Sequence, residues 1–220
     1  MAWHRDAHVA ITGGPAMAGV TSIDVTFRGI GGHGAKPQEG KDPIVMAGEF
    51  IVQVQTIVSR QENPRDPSVV TIGDIHGGTK RNVIPYEVKL ELTTRAFSDK
   101  AMQIILGGIT RAAQGVALSA GVPEDRRPIV TILNDESAPA TYNDPALTAR
   151  VKAALVHALG AQNVFDEDPI MASEDFGLLG LDGHRIPTVM FWRLFEPVPE
   201  PTLRTGVTAM TSVAIALLQR

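Results

Sequence analysis

TSIDVTFRGIGGHGAKPQEGKDPI, residues 21–44, is the stretch whose reading decides the fold. Ile23, Val25 and Phe27 alternate with Asp24, Thr26 and Arg28, the period-two pattern of a strand with one wet face. The spacing predicts a strand over 21–29. Gly31-Gly32-His33-Gly34 comes next. Glycines strip side chains from around His33 and let the backbone turn sharply. A histidine held there is exposed and able to donate a hydrogen bond near neutral pH. A glycine-rich turn that merely carries a histidine fits the same four residues. Asp42-Pro43 then opens a helix, with Asp at the N-cap and Pro at the first helical position.

Outward from this stretch, Ile44, Ala47, Ile51, Val54 and Val58 recur at helical spacing to about Arg60, and Gln61–Pro67, with prolines 64 and 67, ends the helix. Ser68–Gly78 reads as a second strand. Tyr86–Phe97 reads as a third, with Val88, Leu90 and Leu92 on one face and Lys89, Glu91, Thr93 and Arg95 on the other. Ser98 caps a second helix running to about Ala120, with Met102, Ile105, Ile109, Ala112 and Val116 as its buried stripe and Gly121 as its stop. Arg127–Leu133 is a fourth strand. Strand, helix, strand, strand, helix, strand is the split βαβ, or ferredoxin-like, arrangement. One face of its sheet stays open to solvent, a partner or a ligand.

Asn134–Tyr142 is short, polar and proline-containing, and reads as a connector. Asn143-Asp144-Pro145 repeats the cap-plus-proline signal and starts a third helix ending at Gly160. Val164-Phe165 is a short strand, and Ser173-Glu174-Asp175-Phe176 a capped turn or short helix. Ile186–Trp192 is a continuous apolar run, the pattern of a strand buried on both faces. A last helix spans about Thr202 to Leu218. This tail has too few strands for a self-sufficient sheet, so exposed apolar surface is expected on it.

At 220 residues the chain is long enough for one large domain or two smaller ones. Its net charge of −4 argues against a nucleic-acid binder. No apolar run is long enough to cross a bilayer, and Met1 to Asp6 lack the pattern of a secretory signal. With no cysteine there is neither a disulfide nor a thiolate ligand or nucleophile. A cytoplasmic protein is the default expectation.

Five segments in order, "FRGIGGHGAKPQEGKDPI", "VVTIGDIHGGTKRNVIP", "LTTRAFSD", "MASEDFGLLG" and "PEPTLRTGVTAM", resemble the metal-dependent amidohydrolases of the aminoacylase and carboxypeptidase superfamily, in particular the hippurate-hydrolase-like N-acyl-amino-acid hydrolases. The resemblance implies an α/β architecture. A ferredoxin-like α+β lid, residues 21–133, would dimerise; residues 1–20 would be a remnant, and 134–220 the C-terminal part, of a zinc-peptidase-like catalytic domain. It implies metal-dependent hydrolysis of an amide in N-acyl amino acids or small peptides, assisted by two divalent ions (zinc, manganese, cobalt or nickel) that activate a water and polarise the carbonyl. His33 matches the lid histidine that reaches into the partner subunit's site to hydrogen-bond the developing oxyanion. Asn82 in "RNVIP" and Arg95 in "TTRAFS" match lid residues holding the substrate's carbonyl and carboxylate side. By residue type alone, Asn82 also fits a turn and Arg95 a solvated strand face.

Part of the family pattern is missing. The upstream segment carrying the first histidine ligand, the bridging acidic ligand and the paired glutamates is not in this sequence, so the chain is expected to be N-terminally truncated. The C-terminal histidine ligand is expected to be deleted, with Arg193 where a longer loop should stand. His4 would be the one remaining metal ligand, in an alignment that needs a gap before His8. Glu174 and Asp175 fit either a place near the metals or a helix cap. His76, His157 and His184 read as structural or surface residues. A hydrolytic zinc centre needs about three protein ligands, so a non-catalytic lid-plus-tail fragment, which self-associates or binds a complementary polypeptide, is the alternative reading.

Overall fold

A computed structural model describes residues 8–180, 189–193 and 199–218. In chain order the elements are β1 (Val9–Ile11), β2 (Gly14–Met17), β3 (Gly19–Arg28), β4 (Gly32–His33), α1 (Pro43–Arg60), β5 (Ser68–Gly77), β6 (Val83–Ile84), β7 (Glu87–Ala96), α2 (Asp99–Ser119), β8 (Ile129–Ala138), β9 (Thr141–Asn143), α3 (Pro145–Leu159), β10 (Val164–Asp166), β11 (Phe191–Arg193) and α4 (Pro199–Leu218). They divide into two units, Gly19–Ala138 and the remainder.

The Gly19–Ala138 unit is built on one antiparallel sheet with strand order β5-β7-β3-β8. With α1 after β3 and α2 after β7, this is the ferredoxin-like order expected from the sequence. Along β3, Ile23, Val25 and Phe27 are buried while the residues between them are half-exposed. Val88, Leu90 and Leu92 of β7 lie on the same buried face. Against it pack Phe50, Val54 and Ile57 of α1 and Ile105, Ile109 and Val116 of α2. The Phe27 and Phe50 rings sit tilted, with centroids 5.4 Å apart, within the range where aromatic pairs attract beyond their burial.

Both helix starts have the expected caps. The Asp42 side chain accepts from the Ile44 amide at 2.9 Å, and Ser98 Oγ accepts from the Ala101 amide at 3.1 Å. Gly121 ends α2 with φ +65, a left-handed conformation that costs a residue with a side chain about 1–2 kcal/mol. The buried stripe of α1 differs from the sequence reading. Met46, Ala47, Phe50, Val54 and Ile57 point inward, whereas Ile44 is 47% exposed and Ile51 and Val58 flank the core. The helix carries two adjacent apolar stripes, and the one with the bulkier Phe50 and Met46 removes more area from water.

A second difference lies at 134–142. Instead of a connector, β8 runs on to Ala138 and Thr141–Asn143 forms β9, antiparallel to β2. Opposite β3 the register jumps from Ser22↔Leu133 to Val20↔Ala138. The inserted residues are closed by Ser137 Oγ, which donates to the Leu133 carbonyl at 2.6 Å. This edge stretch is largely exposed, so it shows no apolar alternation to betray a strand.

In the other unit β1 lies between β10, parallel to it, and β11, antiparallel. Val9, Ile11, Val151, Leu155, Val164, Ala209 and Val213 form its core. Asp144 caps α3, accepting from the Leu147 amide at 2.7 Å. Asn143 is fully buried: its amide donates to the carbonyls of Thr12 and Met190, each at 2.8 Å, and accepts from the Met190 amide at 2.7 Å. The Ile186–Trp192 strand reading is narrowed to Phe191–Arg193, with 186–188 outside the described residues. On α4, Val207, Met210, Ile215 and Leu218 are exposed apolar side chains.

Truncating Phe50 to Ala is expected to destabilise the Gly19–Ala138 unit by about 3–5 kcal/mol, read from urea unfolding of the full chain. Glu62, just beyond α1, supplies a pH dependence. Its Oε1 is buried with no hydrogen-bond partner; burial, and then the charge of Asp66, raise its carboxyl pKa from 4.5. The folded state therefore holds this proton more tightly than the unfolded chain. The stability contribution falls as pH rises from about 4.5 through the folded value. Glu62→Gln should gain stability over the native chain at neutral pH and lose that advantage near pH 4, in paired urea titrations.

Candidate functional site

The loop between β3 and α1 is laced to the segment between β5 and β7. The Gly29 amide donates to the Tyr86 carbonyl at 2.7 Å, β4 pairs with β6 with His33 opposite Val83, and the Gly34 amide donates to the Asn82 carbonyl at 2.8 Å. The structure thus brings His33 and Asn82 side by side, both exposed. Glycine at position 34 favours this approach: a Cβ there would stand 3.2 Å from the Asn82 carbonyl carbon and oxygen, close enough that the backbone would have to give by a few tenths of an ångström.

The His33 ring has a defined donor. Its Nδ1 accepts from the Ala35 amide at 3.1 Å. In the neutral ring the proton therefore sits on Nε2, which is left as a hydrogen-bond donor. The His33 carbonyl in turn accepts from the Lys36 amide at 2.8 Å, closing the turn that fixes the ring's base.

Arg95 is not brought to this pair. It lies on β7 opposite Val20 and Val69, while the His33 loop leaves from the Arg28↔Glu87 end of the same sheet. Eight residues of strand separate Glu87 from Arg95, about 27 Å at about 3.4 Å each. Arg95 is half-buried on the open face of the sheet. The same face has a hollow of about 400 Å³ lined by Asp24, Asp74, Lys89, Glu91, Thr93 and Glu136. There the Lys89 ammonium bridges Asp24 Oδ2 and Glu91 Oε1, each at 2.8 Å, and these two hydrogen bonds raise its pKa above the usual lysine range.

The other sequence candidates divide. His4 and His184 lie outside the described residues. Asp175 opens a 3-10 turn, and its amide donates to Glu174 Oε1 at 3.0 Å. His76 is exposed and sits 2.9 Å from Asp74, and His157 is exposed on α3. His8, which the sequence reading passed over, has a buried Nδ1 without a partner and stacks edge-on against Phe165 at 4.9 Å. Among the described residues no group of three or more His, Asp or Glu could hold a metal ion.

Residues 16–116 match the peptidase dimerisation domain of the M20 family. Over those residues the chain is similar to an M20 peptidase dimerisation domain. Its homologues include N-acetyldiaminopimelate deacetylase of Streptococcus thermophilus, 39% identical over 176 residues, which are 80% of this chain and 44% of the relative. The enzyme of the same description from Limosilactobacillus fermentum is 34% identical over 209 residues, 90% of this chain and 52% of the relative. The chain thus spans about half the length of the curated relatives it matches. Among solved structures, a protein of methicillin-resistant Staphylococcus aureus described as a candidate aminohydrolase superposes with a TM-score of 0.76 at 27% identity, over 96% of this chain and 54% of that one. A Bacillus subtilis protein described as a dinuclear metal-binding peptidase of the M20 family shares the fold, with a TM-score of 0.69 at 22% identity over 97% of this chain and 54% of that one. No described helix of this chain is long and apolar enough to cross a membrane.

Gly34→Ala should push the His33 turn off Asn82. The expected readout is loss of amide-exchange protection at Gly34, with the protection of β3 and β7 unchanged.

Proposed function

We propose that this chain supplies the substrate-gripping and dimerising part of an amidohydrolase acting on N-acyl amino acids or small peptides. The observation that carries this reading is the exposed His33–Asn82 pair, in which the turn holds Nδ1 of His33 and leaves Nε2–H as its donor. As the scissile carbon becomes tetrahedral, negative charge grows on the carbonyl oxygen. A preorganised N–H donor stabilises that charge more than it stabilises the ground state. Asn82 adds an amide donor beside it. The Arg95 guanidinium has the two-pronged shape that suits the substrate's carboxylate. At about 27 Å along the sheet from the His33 end, Arg95 does not grip the same small molecule as His33 of its own chain. A homodimer in which one chain offers His33 and Asn82 and its mate offers Arg95 resolves this distance. The exposed edges β5 and β8 and the outward-facing Val45 and Val52 of α1 support association through this unit.

In amidohydrolases of this kind two divalent ions supply an activated water. We propose that most of their ligands are not supplied by this chain, a reading supported by the lack of a ligand cluster among the described residues. That same observation favours a second reading, a non-catalytic module that self-associates or binds a complementary polypeptide.

One experiment separates the two. The purified chain is titrated with zinc, manganese and cobalt and assayed on N-acetyl-diaminopimelate and other N-acyl amino acids. Chelator-sensitive release of the amino acid, lowered about 10²–10³-fold by His33→Ala, supports hydrolysis by the chain itself. No turnover with any metal and no tight pair of ions per chain supports the module. Sedimentation of the native chain as a monomer at micromolar concentration would refute the dimer.

A further inference from the structure

We propose that the end of the sheet where β3 meets the loop before β8 is a binding site for a small oxyanion, a carboxylate or a phosphate, held by Arg28, Arg126 and Arg127. Extending the antiparallel register of β3 with β8 beyond Thr26↔Ile129 places Arg28 opposite Arg127. Like charges directly opposite one another destabilise a strand pair. Instead of splaying apart, the two are tied: Arg28 Nε and Nη2 donate to the Arg127 carbonyl at 3.1 and 2.6 Å. Arg126 joins them, with Nη1 donating to the Gly29 carbonyl at 3.3 Å. The guanidiniums of Arg28 and Arg126 are thus anchored through backbone oxygens, Arg127 contributes its carbonyl to the first of them, and all three residues are half-buried.

None of the three forms an ion pair with a carboxylate of the described residues. Acids are close in the chain: Glu87 stands opposite Arg28 in the register with β7, and Glu124 and Asp125 precede Arg126 in the same turn. All three acids are exposed. Arg127 shows the shortfall most directly. Its Nε is buried and has no hydrogen-bond partner. A buried N–H of a charged group left unsatisfied is costly, whereas a planar oxyanion takes two parallel N–H donors from a guanidinium. The three neighbouring cations supply the charge such a ligand needs, and the part-buried setting weakens screening by water. Because Arg126 also holds the Gly29 carbonyl, the site stands at the root of the loop that carries His33. It does not depend on the hydrolytic reading above.

The test uses the full chain and two probes, inorganic phosphate and succinate, with sodium chloride at matched ionic strength as control. Binding is followed by chemical-shift changes of the Arg Nε–H signals and of the backbone amides at 28–30 and 124–128. Saturable shifts confined to these groups are expected with at least one probe. Tighter binding of phosphate assigns a phosphate ligand, and tighter binding of succinate assigns a carboxylate. Arg127→Gln, whose guanidinium makes no hydrogen bond to the described residues, should keep the fold and weaken binding about tenfold. Arg126→Gln should weaken it as well, and Lys152→Gln, on α3, should not. Equal shifts with chloride, or unchanged affinity in both arginine variants, would overturn the proposal.

Discussion

Burial of every second side chain of β3 is the constraint on which the Gly19–Ala138 unit depends. Its ten residues pair with β7 on one side and β8 on the other, so one register error would turn Ile23, Val25 and Phe27 to water and Asp24 and Arg28 inward. Several apolar side chains, each worth about 1.5–3 kcal/mol on burial, pin that register. Everything functional then follows from where β3 stops. The chain leaves the sheet at Gly29, is caught by the Tyr86 carbonyl, and has only a short ribbon with which to set the height of His33 above the sheet end.

Most of this unit was legible in the sequence because local and long-range signals agree. The Asp42 and Ser98 caps, the Gly121 stop and the alternation in β3 and β7 each name an element without help from packing. Two places misled. On α1 two apolar stripes compete, and only the three-dimensional fit decides that Phe50 rather than Ile51 points inward. At 134–138 the strand is held by backbone pairing and the Ser137 hydroxyl, neither of which leaves an apolar pattern.

The candidate site was legible as a list of residues but not as a geometry. Motif spacing in the sequence suggests His33, Asn82 and Arg95 as one set. In the fold the first two touch through the Gly34 amide and the third sits at the other end of the same strand system. A strand of ten residues is long compared with a small substrate, and sequence distance says nothing about which end a residue occupies. The arginine group at 28, 126 and 127 was invisible for a related reason: it is assembled by pairing of β3 with β8, across about a hundred residues of chain.

The small sheet β10-β1-β11 has a consequence for synthesis on the ribosome. Its central strand is made of residues 9–11, but the strands on either side of it come from 164–166 and 191–193. The Gly19–Ala138 unit has all its strands once residue 138 has left the exit tunnel, and can close at that point. Nascent β1 cannot complete this sheet until residues 164–166 and 191–193 have also been made. Until then its apolar residues Val9 and Ile11 lack the partners that bury them, the kind of exposure that makes a folding chain prone to aggregate.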